Sequence, residues 1–266
     1  DAALVARHPA ARQHRLTQRD IAAVVAEALL AEVIRHALLP HEMQSFVQGL
    51  RVPFQILGAQ HDAKVVRLVG PAPQLAIVAL QVENLDALDV EVIEGVDVTD
   101  ERSLARLVEG LGDRTIGILI NNAGVLSDES LDDLDVDRIR NQFEVNSLGP
   151  LRITAALRGN LEDGSKVAII TSRMGSIADN GSGGSTPYRL SKAALNMFTR
   201  SLAAELGPEG FTCIVLHPGW VRTDMGGPNA PTTAQESALG IRRVIEGLTE
   251  ADNGAFFSFE GERMPW

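Results

Sequence analysis

The sequence predicts an α/β fold in which an open, mostly parallel sheet carries helices on both faces. Three observations predict it. From residue 90 onward, strand-like and helix-like runs alternate. The strand-like runs, such as Ile116–Ile120 and Phe211–Leu216, are continuously apolar, as strands covered on both faces require. The text between them is long enough for helical crossovers, which parallel strands need.

Taken in order, Val90–Val98 reads as a strand, and Glu101–Leu111 as a helix with apolar residues at Leu104, Leu107, Val108 and Leu111. Thr99 and Asp100 supply N-cap chemistry ahead of it. Ile116–Ile120 is a strand, and helices follow over about Asp135–Val145 and Pro150–Leu157. Lys166–Thr171 is the next strand. Tyr188–Leu206 forms a long helix ended by Gly207-Pro208. Phe211–Leu216 (strand), Ala234–Leu248 (helix) and Ala255–Phe259 (strand) complete the series.

The first 82 residues differ. Gln18–Leu39 has helical amphipathic spacing. Val52–Leu57, Lys64–Val69 and Leu75–Val82 are strand-like, with gaps too short for crossover helices, so hairpins are the simpler reading. Residues 1–82 hold 8 Lys+Arg against 6 Asp+Glu, and residues 83–266 hold 16 against 29. The expectation is one domain over 1–266, with an atypical segment at 1–82 and the chemistry in 83–266.

Composition narrows the function classes. A net charge of −11 disfavours nucleic acid as a general partner. The longest apolar stretch, Ile21–Ile34, is broken by Glu27 and Glu32 and does not read as a membrane span. Asp1–Arg19 lacks the pattern of a secretory signal, and the single cysteine, Cys213, permits no internal disulfide, so a cytoplasmic location is expected. Cys213 itself reads as a core residue. The five histidines before residue 82 have no ligand spacing and no helper cysteines, which argues against zinc. No G-x-S-x-G elbow is present, which argues against a serine hydrolase.

The strongest chemical pattern is Ser172, Tyr188 and Lys192. Tyr188 and Lys192 are four apart on one helix and share a face. Ser172 follows a strand's carboxyl end, where open α/β sheets bind ligands. A phenol is a poor base at neutral pH, and a neighbouring ammonium favours its ionised form, so this pair suits general acid/base work. A helix-surface pair beside a loop serine would show the same spacing.

Context adds Asn121-Asn122-Ala123-Gly124 after one strand, Asn146 in Val145-Asn146-Ser147, Ile169-Ile170-Thr171-Ser172, Tyr188 through Lys192, and His217-Pro218-Gly219-Trp220-Val221-Arg222-Thr223. In this order the motifs resemble the short-chain dehydrogenase/reductase superfamily, most like its C-factor-type carbonyl reductase branch, over about residues 90–266. The resemblance implies a Rossmann-like, doubly wound fold. It implies a hydride transfer between a nicotinamide cofactor, NADP or NAD with NADP slightly favoured, and a small carbonyl or alcohol substrate. By resemblance, Tyr188 is the acid/base, Lys192 adjusts it and holds the nicotinamide ribose, Ser172 orients the substrate oxygen, and Asn146 anchors a relay water. Asp97 and Val98 face the adenine, and Asn121, Ala123 and Gly124 pass beside the cofactor. Pro218, Gly219, Val221 and Thr223 hold the nicotinamide, and a homodimer through the long helix is implied by analogy. Asp97 and Asn146 would also serve as plain caps, Gly124 as a turn, and Pro218-Gly219 as a strand exit. The loops Arg173–Pro187 and Thr223–Ser237, with Met174, Met225, Pro228 and Pro231, are expected to shape an apolar pocket with no dedicated anion clamp.

One family feature is missing. A turn of the form T-G-x-x-x-G-x-G should precede Asp97 by roughly forty to fifty residues, bringing backbone amides to the pyrophosphate. The nearest text, Ile56-Leu57-Gly58-Ala59-Gln60-His61-Asp62, has one glycine, and Gly70-Pro71-Ala72-Pro73 brings prolines that lack donors. The segment is therefore a replaced sequence (a shifted reading frame or a fusion), an unusual phosphate site, or the mark of a scaffold that no longer binds cofactor and has no turnover.

Overall fold

The computed structural model describes residues 64–67, 76–80, 91–93, 95–127, 129–130, 132–223 and 225–266. The helix expected over Gln18–Leu39, the run Val52–Leu57 and the Gly58 and Gly70 turns lie outside the described residues.

Seven strands form one sheet: β1 (Lys64–Arg67), β2 (Ala76–Leu80), β3 (Glu91–Ile93), β4 (Ile116–Asn121), β5 (Leu161–Ile170), β6 (Thr212–His217) and β7 (Phe256–Ser258). Their spatial order is β3-β1-β2-β4-β5-β6-β7. The pairings from β2 through β7 are parallel. Strand β1 runs against both of its neighbours, with Lys64 opposite Leu80 and Val65 opposite Ile93. The hairpin reading of residues 64–82 therefore holds for β1 and β2, while β2 joins the parallel set beside β4.

The connecting helices are α1 (Glu101–Leu111), α2 (Val136–Phe143), α3 (Gly149–Ala156), α4 (Thr186–Leu206) and α5 (Ala234–Gly247). Asp100 caps α1 by accepting from the backbone N–H groups of Arg102 and Ser103, and Leu104, Leu107 and Leu111 turn inward. Gly112, at φ 57, ends that helix in a conformation that favours glycine. Thr233 and Glu236 close a reciprocal capping box on α5. Strands β4 and β6 are buried along nearly their whole length, which is why their text shows no polar alternation. The core joins Leu107, Leu111, Ile116, Leu119, Val167, Ile169, Cys213, Val215 and Phe256.

Two elements depart from the sequence reading. Among the described residues of Val90–Val98, only Glu91–Ile93 are strand: Gly95 takes φ 68, and Asp97 then folds into a turn with Thr99. The helix expected to Val145 ends at Phe143 and widens into a π-turn over Glu144–Leu148, where the Gly149 N–H reaches back to the Glu144 carbonyl. That widened turn carries Asn146. Among the described residues, no helix is long and apolar enough to cross a membrane, and no cluster of three His, Cys, Asp or Glu is placed to hold a metal ion.

Candidate active site

Near the carboxyl ends of β4 and β5, Gly124, Asn146, Ser172, Tyr188 and Lys192 lie close together. Helix α4 begins with Thr186-Pro187, where proline's fixed φ suits the first turn, and it buries Tyr188, Ser191, Lys192, Leu195, Asn196 and Thr199 on one face. Tyr188 and Lys192 are 8% and 4% exposed, so both polar ends are taken from water. The Lys192 ammonium lies 5.8 Å from the centre of the Tyr188 ring and donates to the Ile170 carbonyl at 3.0 Å.

Burial governs both groups. It pushes the Tyr188 phenol up to about 12, and hydrogen bonding with Ser172 opposes that rise. It pulls the Lys192 ammonium down to about 8. In the cofactor-free chain, desolvation is the largest influence on the phenol and raises it. The Tyr188 hydroxyl also meets the Met225 sulfur at 4.0 Å, so the segment after β6 approaches the phenol.

Ser172 is buried and opens a single 3₁₀ turn over Arg173–Gly175, its Oγ accepting from the Met174 N–H at 3.1 Å. Asn146 is fully buried. Its Nδ2 donates to the Val125 carbonyl at 2.9 Å and to Ser191 Oγ at 3.0 Å, and its Oδ1 accepts from the Val125 N–H at 2.8 Å. The side chain therefore braces the loop after β4. A Cβ on Gly124 would stand in ordinary contact, 3.4 Å from Asn146 Oδ1 and 3.5 Å from Lys192 Nζ, so Gly124 lies directly beside the ammonium. Asn121 donates to Thr154 Oγ1 at 3.1 Å, while its own buried Oδ1 has no partner among the described residues.

The remaining predicted residues are placed as follows. Asp97 accepts from the N–H and hydroxyl of Thr99 at 2.8 and 2.7 Å, which is the cap-like alternative. Val98 is buried, packed against Gly149. The Pro218 carbonyl accepts from the Ser237 hydroxyl at 2.6 Å. Gly219 takes φ 89, and a Cβ there would come within 2.9 Å of the Phe259 ring. Val221 bridges Thr232, and Thr223 Oγ1 accepts from the Gly226 N–H at 2.9 Å. A cavity of about 450 Å³ opens beside this group, with Arg173, Asp179, His217, Gly219, Trp220 and Arg263 in its wall. Ser172, Tyr188 and Lys192 are not in that wall. His217 is held neutral there, pulled down to about 4 by burial and then by the Arg173 charge.

Several residues at the site escaped the sequence reading. Ser191 links Asn146 to the Tyr188 carbonyl, to which its hydroxyl donates at 2.9 Å, and the Ser147 hydroxyl donates to the Ser191 carbonyl at 2.8 Å. Thr171 and Asn196 are hydrogen-bonded at 2.6 Å. The available signal was positional: Ser191, Asn196 and Thr199 share the helical face of Tyr188 and Lys192, on which apolar residues would otherwise be expected.

The lysine end of the site fits a nicotinamide ribose. An ammonium has three donors, and Lys192 uses one of them, on Ile170, among the described residues. The other two would be offered to ribose hydroxyls, with Gly124 beside the ammonium.

The chain resembles known proteins. The family model described as short chain dehydrogenase matches residues 57–234. Over 154 residues the chain is 49% identical to the C-signal of Myxococcus xanthus, a match covering 57% of this chain and 93% of that protein. It is 38% identical over 189 residues to the 1-hydroxy-2-glutathionyl-2-methyl-3-butene dehydrogenase of a Rhodococcus species, covering 69% of this chain and 84% of that one. The NADPH-bound carbonyl reductase from chicken fatty liver superposes with a TM-score of 0.59 at 34% identity, over 64% of this chain and 75% of that chain.

Proposed function

The chain belongs to the short-chain dehydrogenase family, and from that premise we propose that it is a nicotinamide-dependent oxidoreductase acting on a small carbonyl or alcohol, with Tyr188 as acid/base. The observation that carries the reading is the convergence of a buried phenol, a hydrogen-bonding serine and a buried ammonium at the carboxyl end of the sheet. NADP is favoured over NAD, since the carbonyl reductase of chicken liver is NADPH-bound. Lys192 would hold the nicotinamide ribose, Gly124 and Ala123 would line its approach, and Gly219, Val221 and Thr223 would face the nicotinamide. When bound, the cofactor supplies or accepts the hydride.

The chain's own residues handle the oxygen. Ser172 and Tyr188 hydrogen-bond the substrate carbonyl oxygen. As the carbon–oxygen π bond breaks toward oxygen, the developing alkoxide takes the Tyr188 proton. A phenol pushed up to about 12 stays protonated at neutral pH, so it is ready as the donor in the reducing direction. The alkoxide is the stronger base, so the transfer runs downhill. In the oxidising direction the phenolate must form first, and a ribose-bound, charged Lys192 beside the ring favours it.

Residues 1–266 are read as one Rossmann-like domain whose segment 1–82 is atypical. A homodimer is proposed through α4, where Leu190 and Met197 are exposed one above the other, and a cytoplasmic location accompanies the reading. The absence of a glycine-rich turn favours one alternative, a silent scaffold of the same fold. Titrating NADPH and NADH into the pure chain separates the two. Saturable binding, with turnover lost in Tyr188→Phe while binding persists, supports the enzyme. No binding of either cofactor at millimolar concentration sinks it.

A further inference from the structure

Ser172 can share a substrate oxygen with Tyr188 only if two separate elements, the turn after β5 and the start of α4, are locked to each other. The geometry points to Asn196 as the positioning residue that does this, clamping the Thr171–Gly175 turn onto the helix that carries Tyr188 and Lys192; this deepens, and rests on, the oxidoreductase reading. One side chain holds both ends of the turn. The Thr171 hydroxyl donates to Asn196 Oδ1 at 2.6 Å, and Asn196 Nδ2 donates to the Gly175 carbonyl at 3.1 Å. Ser172 lies between those two points, and its Oγ is itself tied to the Met174 N–H inside the turn.

The orientation of the amide is determined. A carbonyl only accepts, so the Nδ2 end must face Gly175, and Oδ1 is left for the threonine hydroxyl. Both partners are buried, Thr171 at 2% and Asn196 at 4% exposure, so neither end can exchange its bond for water. The turn also sits in direct contact with the helix. A Cβ on Gly175 would fall 2.9 Å from the backbone carbon and oxygen of Lys192, an approach open to glycine alone. Asn196 is one helical turn beyond Lys192 and two beyond Tyr188, on the same buried face. Clamp, ammonium and phenol therefore share one rigid element, and the serine is referenced to it.

The chain has a single tyrosine, so its tyrosinate absorption reports on Tyr188 alone. Lys192 is the charged side chain that faces the ring, and Ser172 and Met225 meet the hydroxyl. In Asn196→Ala and Thr171→Val, kcat should fall on the order of 10- to 100-fold while the NADPH dissociation constant stays within about twofold. The tyrosinate midpoint should move upward to the value found in Ser172→Ala. Combining Asn196→Ala with Ser172→Ala should move neither quantity further, and Thr171→Ser, which keeps the hydroxyl, should restore both. Should Asn196→Ala fail to fold, the pair Thr171→Val and Thr171→Ser decides the matter alone. An unchanged midpoint, or losses that multiply with those of Ser172→Ala, would overturn the clamp. A wild-type chain with no turnover would instead remove the oxidoreductase reading and leave the titration to decide the clamp.

Discussion

Lys192→Met offers the sharpest physical test of the site, because it removes a charge from a place the fold has taken out of water. Burial lowers the Lys192 ammonium from 10.5 to about 8. Between those values the unfolded chain binds the proton and the folded chain does not, so stability rises with pH across the window. Above 10.5 the amine is neutral in both states and carries no penalty; as pH falls to about 8 the penalty develops in full. The displacement corresponds to roughly 3 kcal/mol, at about 1.4 kcal/mol per unit. Methionine has no such penalty, although it leaves the Ile170 carbonyl without its donor at a cost of about 1–3 kcal/mol that does not vary with pH. The variant's stability relative to wild type should therefore decline by roughly 3 kcal/mol from neutral pH to pH above 10.5. Cys213 and Tyr188 also titrate abnormally in that range, but they are common to both proteins and cancel in the difference. Urea denaturation of both chains, at a series of pH values and without cofactor, measures it. A difference flat to within about 0.5 kcal/mol would refute the desolvated ammonium.

Two further outcomes follow from packing. Cys213 is fully buried and its thiol is pushed up to about 12, so the folded chain should not react with a thiol reagent at mildly alkaline pH, while the urea-unfolded chain should titrate one thiol. Gly149→Ala would place a Cβ 2.9 Å from Val98 Cγ2, so it should lower the stability of the folded chain by about 1–3 kcal/mol in the same denaturation assay.

The part beyond residue 95 was legible because its patterns have local causes. Ile116–Ile120 and Phe211–Leu216 read as strands since both faces of the sheet are covered, and β4 and β6 match them to within a residue. The helix Glu101–Leu111 was complete in the text because Asp100 caps it and Gly112 ends it. Tyr188 and Lys192 share a face by spacing alone, and the structure places them there. What the text did not show is whatever depends on contacts distant in sequence. The hydrogen bonds of Asn146 to Ser191 and of Asn196 to Thr171 and Gly175 join residues 21 to 45 positions apart, so no local pattern marks them. The direction of the phenol's shift turned on burial, and a spacing rule carries no information about burial. The strand expected through Val98 failed at a single residue, Gly95, whose positive φ breaks the run while Val96 and Val98 still enter the core.

The first 82 residues raise a harder question, and the sheet order sharpens it. In open α/β sheets ligands bind outside the carboxyl ends of the parallel strands. The strand beside β4 is β2, which ends at Leu80 and runs parallel to it. The text that follows is Gln81-Val82-Glu83-Asn84-Leu85-Asp86, with no glycine to let backbone amides close on a phosphate and two carboxylates to repel one. Strand β1 is reversed, so its carboxyl end points away from that edge. The two halves of the chain thus make opposite demands: the proposed function needs the residues beyond 95 to meet a nicotinamide ribose, and the strand β2 of the segment before them leads into an acidic run. Replacement of the segment, by a shifted frame or a fusion, accounts for both the charge break near residue 83 and this conflict. It predicts that restoring a glycine-rich segment ahead of Asp97, by reading the coding DNA in its other frames, will raise NADPH affinity without altering the tyrosinate titration of the cofactor-free chain. Finding no glycine-rich match in any frame would count against replacement and leave the scaffold and the unusual phosphate site to be separated by the cofactor titration.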